Sequence, residues 1–345
     1  MRICVVGAGP AGLYTSLYLS DRGHDVTVID RFSESGYGRY HSVCGAGISL
    51  KAFRQLEYID EKFIINRVDK TVLSFPGNTD VIMKIDGAVV DRVPFLLDLK
   101  QKCSDAGCVF IQDNVLKVER NDGFNVHTGR NGTMHFDVIV GCDGAHSVVR
   151  RDIFKTEPKG MVPVTECIID RPNNGSFRIF LGEKYKGMYE WDFPSGNRTN
   201  AGSVKGMADL TDAVSHGSRH IPYGSVPLIA DNNAYLCGDA AGMPNPISFG
   251  GLRIAMVSGM ECAKAIITGS EKQYQKWWKK NILSSERFME FRYSMEKWTD
   301  KEFIEASETF RKHKNIYIGG IIATLKHPKY VKMYVGCLMT FKHSW

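Results

Sequence analysis

With 345 residues, 43% of them hydrophobic, the chain is long enough to bury one large core or two coupled ones. It has no run of eighteen or more apolar residues, so no transmembrane helix is expected. Met1-Arg2-Ile3-Cys4-Val5-Val6 leads straight into a strand pattern, which argues against a signal peptide and for a cytoplasmic protein. Nine cysteines, odd in number and without a Cys-x-x-Cys pair, read as reduced thiols, not as a disulfide framework or a zinc site, and no metal is expected. The formal charge of +6 is uneven: Lys264 to Trp345 holds 16 Lys+Arg against 8 Asp+Glu, and Thr309 to Trp345 holds seven basic residues and no acidic one. Such a tail, interleaved with apolar runs such as Ile316-Tyr317-Ile318 and Tyr334-Val335, suits anionic lipid, nucleic acid or plain solvent. It carries no recognised nucleic-acid fold and no repeated aromatic platform, so nucleic acid is not expected as a partner.

In chain order, Arg2 to Val6 predicts a short strand, Pro10 to Arg22 a helix, and Asp25 to Ile29 a second, β-branched strand. Asp91 to Asp105 has helical spacing, with Pro94 tolerable in a first turn. Between Val109 and Val140 the turn signals Asn121-Asp122-Gly123 and Gly129-Arg130-Asn131-Gly132 predict hairpins. Met161 to Val204 alternates as sheet, including Ser176 to Phe180 and Tyr189 to Phe193. A strand at Ala234 to Cys237 precedes a helix beginning near Gly251, and Gln273 to His313 reads as helical, polar and aromatic-rich.

Three segments carry chemistry. Gly7-Ala8-Gly9-Pro10-Ala11-Gly12 sits between a strand and a helix, with Asp30 and then Arg31 at the end of the next strand. Glycine is needed there for a tight turn, for backbone approach to a pyrophosphate and for close helix–strand packing. The helix N-terminus then faces the negative charge, and the acid accepts a ribose hydroxyl. This motif predicts a dinucleotide without choosing one. Phe136 to Arg150 is a buried strand ending in Asp143-Gly144, followed by a basic helix start. Tyr235-Leu236-Cys237-Gly238-Asp239-Ala240-Ala241-Gly242, then Pro246 and Gly250-Gly251, brings Asp239 to a ribityl or pyrophosphate group and a helix N-terminus to a flavin ring. Together the three predict FAD. The expected fold class is α/β, with an FAD-binding Rossmann-like domain (residues 1–70, 91–155 and 225–265) interwoven with an antiparallel-sheet substrate domain (71–90 and 156–224) and followed by a helical, basic C-terminal region (266–345).

The order of these motifs, with Asp91-Arg92-Val93-Pro94-Phe95-Leu96-Leu97-Asp98, resembles the FAD enzymes that span aromatic hydroxylases, halogenases and geranylgeranyl reductases, on a glutathione-reductase-type fold. Tyr189-Glu190-Trp191-Asp192-Phe193-Pro194 resembles the Tyr-x-Trp-x-Phe-Pro signature of geranylgeranyl reductases, and Cys44-Gly45-Ala46-Gly47 their Cys-Gly-x-Gly loop. The chain is shorter than typical members between Val204 and His220 and toward its C-terminus, both regions that shape a lipid tunnel. The resemblance implies FAD contacts at Gly12, Asp30, Cys44, Gly45, Gly47, Arg92, Val115, Asp239, Gly251 and Leu252.

It also implies an activity, the saturation of isolated alkenes in polyprenyl lipids, with hydride from reduced flavin and a proton from elsewhere. Tyr189, Trp191 and Phe193 would share one face of a strand and form an aromatic wall for the isoprenoid, with Tyr189 and Trp191 nearest the chemistry. Cys44 would either give a proton or meet FAD through its backbone alone. His41 and Tyr37 are further candidate polar contacts, whereas Cys103 and Cys108 read as core. With a single glycine-rich dinucleotide loop, electrons are expected from a ferredoxin or another small reductant, and the basic tail suits an acidic carrier or peripheral contact at the inner face of a membrane. The alternatives are an FAD monooxygenase and a non-catalytic prenyl-binding escort.

Overall fold

The computed structural model describes residues 1–204, 212–312 and 316–343. Six strands form one sheet in the order Ala230–Asp231, Ala234–Leu236, Val138–Gly141, Arg2–Val6, Asp25–Asp30, Val109–Gln112, every neighbouring pair parallel except the first. Ile3 to Val6 and Val138 to Gly141 are buried without alternation, as a parallel sheet covered on both sides requires. The helix Pro10–Ser20 is buried at every residue and packs on the helices Arg92–Asp105 and Leu252–Thr268. The approach to Leu252–Thr268 is tight: a Cβ at Gly259 would stand 2.6 Å from the carbonyl oxygen of Ala11. A three-stranded meander (Val115–Asn121, Gly123–Thr128, Thr133–Phe136) adds Val118, Phe124, Val126 and Phe136 to the same core, and Cys103 and Cys108 lie within it.

The strands Ala234–Leu236, Val138–Gly141, Arg2–Val6 and Asp25–Asp30 are adjacent and run the same way. Asp239, Asp143, the Gly7 loop and Asp30 therefore emerge at one edge of the sheet. This is the carboxyl end of an open α/β sheet, where such folds take their ligands.

A second sheet of eight strands has the order Ala213–Tyr223, Gly160–Ile169, Arg198–Val204, Glu190–Ser195, Phe177–Phe180, Ile64–Phe75, Thr79–Val90, Gly47–Ser49. It is antiparallel except where Phe177–Phe180 lies parallel to Ile64–Phe75. The boundary expected between residues 70 and 71 falls inside the unbroken strand Ile64–Phe75, and Gly47–Ser49 joins this sheet too. The helical stretch expected over Gln273 to His313 is divided into Glu271–Lys280, Glu286–Met295 and Asp300–Lys312. Ser285 starts the second of these by accepting the Arg287 N–H. The helices Ile316–Lys326 and Val331–His343 follow. Of the basic tail, residues 313–315 and 344–345 lie outside the described residues, as do 205–211 of the segment expected to be short. Among the described residues no helix is long and apolar enough to cross a membrane.

Candidate functional site

Between the two sheets runs one continuous cavity. Every residue expected to meet cofactor or substrate lines it, with the exceptions of Gly12 and Tyr37. Gly12 works from behind: a Cβ there would lie 1.9 Å from the carbonyl oxygen of Gly7, so its missing side chain lets the helix Pro10–Ser20 sit under the loop. Gly7 has φ +98°, and a Cβ on it would meet the Cys142 carbonyl oxygen at 2.5 Å. Gly9 caps the helix with no side-chain hydrogen bond, which leaves the first-turn N–H groups to face the cavity. Asp30 holds this loop from the next strand, accepting the Ala8 N–H (2.7 Å) on one carboxylate oxygen and the Phe32 N–H (2.9 Å) on the other. Tyr37 is a brace beneath the loop, donating its hydroxyl proton to the Ala8 carbonyl at 2.7 Å, while His41 itself lines the cavity. Arg31 is exposed at the rim, its guanidinium 4.7 Å from the Phe32 ring centre.

Farther along, Gly251 caps the helix Leu252–Thr268, again without a capping side chain, and Gly250, Gly251 and Leu252 line the cavity. Several buried polar atoms on the lining have no protein partner: Nδ1 of His41, Nε of Arg92, Oδ1 of Asp143 and Nε of Arg219. Unpartnered buried polar groups are costly, so a polar ligand fits here. An uncapped helix end beside glycines that admit no Cβ fits a pyrophosphate. Asp30 at the neighbouring strand end fits a ribose, and the second uncapped helix end fits a flavin ring that gains negative charge on reduction.

The other wall of the cavity is the face of the eight-stranded sheet, and register determines its composition. Residues directly paired in a sheet point to the same face, so the strands stack in rows. Tyr189 continues the Glu190–Ser195 strand, and Val204 donates its N–H to the Tyr189 carbonyl. One row is Tyr189, Val204, Val164, Arg219; the next is Trp191, Gly202, Glu166, Gly217; a third holds Phe193, Asn200 and Ile168. Tyr189, Trp191 and Phe193 thus do share one face, with ring centres 6.0 and 6.3 Å apart. Each is fixed. The Tyr189 hydroxyl donates to the Ser248 carbonyl, Trp191 Nε1 donates to Asn200 Oδ1 at 2.8 Å, and Phe193 packs on Phe177 with centres 4.5 Å apart. The Cys44–Gly47 loop closes against this wall: a Cβ at Gly45 would be 3.0 Å from the Phe193 ring, and one at Gly47 would be 3.2 Å from Phe177.

The cavity's charges sit close together under poor hydration. Burial raises the carboxyls of Asp143 and Asp239 above the ordinary carboxylate range, with Arg219 and Arg92 opposing the rise at Asp239. Burial, then the positive charges of Arg92 and Arg219, keep His41 neutral. Arg92 pays a desolvation cost as well, but its contact with the Cys44 thiol and the fields of Asp239 and Glu166 hold its charge. The Ala46 N–H donates to Cys44 Sγ at 3.3 Å.

Sequence reasoning missed Glu166, Arg219, Asn200 and Phe249. Glu166 had a signal: Val162, Val164, Glu166 and Ile168 alternate, and a charge on an otherwise apolar inward face is out of place. Phe249 stacks on Tyr189 at 6.0 Å, and the buried Arg292 stands behind it at 5.4 Å, tying the C-terminal helices to the cavity.

The two-sheet fold and the cofactor cleft define an FAD-dependent oxidoreductase, and a match to the FAD-dependent oxidoreductase family covers residues 2–60. More particularly, the chain is 28% identical over 317 residues to digeranylgeranylglycerophospholipid reductase 1 of Methanosphaera stadtmanae, covering 79% of this chain and 77% of that one. A geranylgeranyl bacteriochlorophyll reductase-like protein of Thermoplasma acidophilum superposes with a TM-score of 0.81 at 18% identity, covering 96% of this chain and 98% of the other. HpxO of Klebsiella pneumoniae, solved with FAD and uric acid, gives 0.66 at 16% identity, with 97% of both chains covered. The resemblance to geranylgeranyl reductases and the choice of FAD are borne out.

Proposed function

We propose that the protein saturates C=C bonds of geranylgeranyl chains in archaeal-type membrane lipids. The observation that carries this reading is the fixed aromatic face of Tyr189, Trp191 and Phe193, set across the cavity from the flavin end and closed by the Cys44–Gly47 loop. Reduced FAD supplies a hydride for one alkene carbon. The chain's own residues do the rest. The Gly7–Gly12 loop, Asp30, Asp143 and Asp239 hold the cofactor, with Arg31, Arg92 and Val115 along it and Cys44, Gly45, Gly47, Gly250, Gly251 and Leu252 at the ring. The aromatic face orients an apolar chain that offers no hydrogen bonds, keeps water out, and presents π-electron density to a reacting carbon that becomes electron-poor. The expected result is a gain of two hydrogens per double bond when dithionite-reduced protein meets a geranylgeranyl ether lipid without oxygen, read by mass spectrometry. Oxygen insertion into an aromatic substrate in air, with no gain of hydrogen, would make the protein a monooxygenase instead. A purified protein that is colourless and binds prenyl chains would make it an escort.

The electron donor in this reading is a small acidic carrier such as a ferredoxin, and the lipid is met at a membrane surface. Ile321 and Leu325, 64% and 76% exposed on the helix Ile316–Lys326, lie in a tail without acidic residues of its own, where Lys326 adds positive charge while Lys329 and Lys332 pair with Glu305 and Glu290. The protein is expected to float with anionic lipid vesicles and to be released by salt. Ile321→Asp with Leu325→Asp should weaken that partition by about 10-fold or more, since each removes an exposed aliphatic group that would enter the lipid. Reduction of detergent-dispersed lipid should persist. Equal flotation of the double variant would remove this helix from the membrane contact.

A further inference from the structure

The cavity face of the eight-stranded sheet carries a buried carboxyl that neither the cofactor cleft nor the aromatic wall accounts for. Glu166 sits mid-row between Gly202 and Gly217, two residues without side chains, with Trp191 beyond Gly202. It is 5% exposed and lines the cavity. An ionised carboxylate in such a place is expensive, and a protein that wanted only packing would continue the Val162, Val164 pattern.

The groups that face it come from four elements. Arg219 lies on the strand Ala213–Tyr223, Arg92 at the start of the helix Arg92–Asp105, the Cys44 backbone N–H on the loop, and the Asn200 side chain on Arg198–Val204. Asn200 Oδ1 is committed to Trp191 Nε1, so its amide nitrogen is left to donate to Glu166. Beyond these stand Asp239, which faces the same two arginines, the neutral His41, and the Tyr189 phenol, raised by burial. Burial outweighs the arginines and the two donors, and the Glu166 carboxyl is pushed up to about 7. A carboxyl of that kind holds a proton near neutral pH and gives it up to a developing charge.

We propose that Glu166 is the proton donor of the alkene reduction, placed by the Trp191–Asn200 pair and the two arginines at the edge of the aromatic wall. This inference rests on the function proposed above. As the π bond breaks, hydride from the reduced flavin brings both electrons of one new C–H bond. The Glu166 O–H bond breaks, its proton takes the π electrons at the other carbon, and the flavin is left oxidised by two electrons. Arg219, Arg92 and Asn200 stabilise the carboxylate that remains until water reprotonates it.

The test compares Glu166→Gln and Glu166→Asp with the wild-type holoenzyme, using a geranylgeranyl ether lipid in detergent under dithionite. Glu166→Gln should keep its FAD yet slow single-turnover reduction by about 100-fold, the usual scale of a lost general acid. Glu166→Asp should recover part of the rate. The wild-type rate should fall as pH rises through about 7, because the carboxyl is the active form only below its own titration, and Glu166→Gln should lose that inflection. An independent readout is infrared difference titration without substrate. A protonated-carboxyl band should vanish as pH rises through neutrality and should be missing from Glu166→Gln. Reduction by Glu166→Gln at the wild-type rate and pH profile would overturn the proposal. So would a Glu166 already ionised at pH 5, even if the wild type reduced no prenyl chain. A wild type that reduces none but shows the band would sink the substrate and leave Glu166 the proton-bearing group of this cavity.

Discussion

Gly12→Ala is expected to yield a colourless, less stable protein. The added methyl would stand 1.9 Å from the Gly7 carbonyl oxygen and 3.0 Å from its carbon, both backbone atoms that cannot rotate away. Cys142 Cβ at 3.2 Å blocks the other direction. Either the helix Pro10–Ser20 retreats from the sheet or the Gly7–Gly9 loop is driven into the space for the pyrophosphate. The helix is fully buried and wedged against Leu252–Thr268 at Gly259, so the loop yields first. Overpacking of this kind costs about 1–3 kcal/mol in the folded state, and the lost cofactor removes its binding energy as well. The flavin-to-protein absorbance ratio and the thermal midpoint with and without added FAD measure both. A Gly12→Ala protein that keeps full flavin content would show that the loop does not cradle the cofactor.

The cofactor half of the molecule was legible because its physics is local. A tight turn, an uncapped helix end and an acid at the next strand end are all short-range demands, and the sequence spells each one with the residue types it needs. What brings the Gly7 loop, Asp30, Asp143 and Asp239 together is their place at the ends of four adjacent parallel strands, and strand order is not written in any one motif. The long hairpin Ile64–Val90 was less visible, although Gly77 and Asn78, both at positive φ, mark its turn. Its strand Ile64–Phe75 alternates only in part, being buried continuously from Thr71 to Phe75. The break of the C-terminal stretch into separate helices depends on where Phe288, Phe291 and Phe303 find the core, a tertiary matter.

The substrate half divides differently. Tyr189, Trp191 and Phe193 were legible from period two alone, because strand residues two apart must share a face. Asn200, Glu166 and Arg219 complete that face from three other strands, and only register places them there. Tyr37 was read as a polar contact in general terms, whereas its hydroxyl is spent on the Ala8 carbonyl inside the glycine loop.

Because the wall and the cleft belong to different sheets, one substitution should separate them. Gly202 lies beneath the Trp191 indole, and a Cβ there would meet the ring at 1.9, 2.3 and 2.5 Å. Gly202→Ala must therefore lift the indole from the sheet, break its 2.8 Å hydrogen bond to Asn200, and free the Asn200 amide that faces Glu166. The ring would move into the cavity between Tyr189 and Phe193. The Gly7 loop, Asp30, Asp143 and Asp239 are untouched at the edge of the other sheet, so FAD content should stay at the wild-type level. Alkene reduction should fall by about 100-fold, the scale on which a misplacement near 1 Å acts. Adding Trp191→Phe, whose smaller ring leaves room for the methyl, should recover part of the rate, a coupling expected only for residues in contact. Anaerobic single-turnover rates and flavin absorbance on the same preparations give the comparison. Loss of flavin together with activity would mean that the two sheets are not independent, and an unchanged rate would remove Trp191 from the substrate wall.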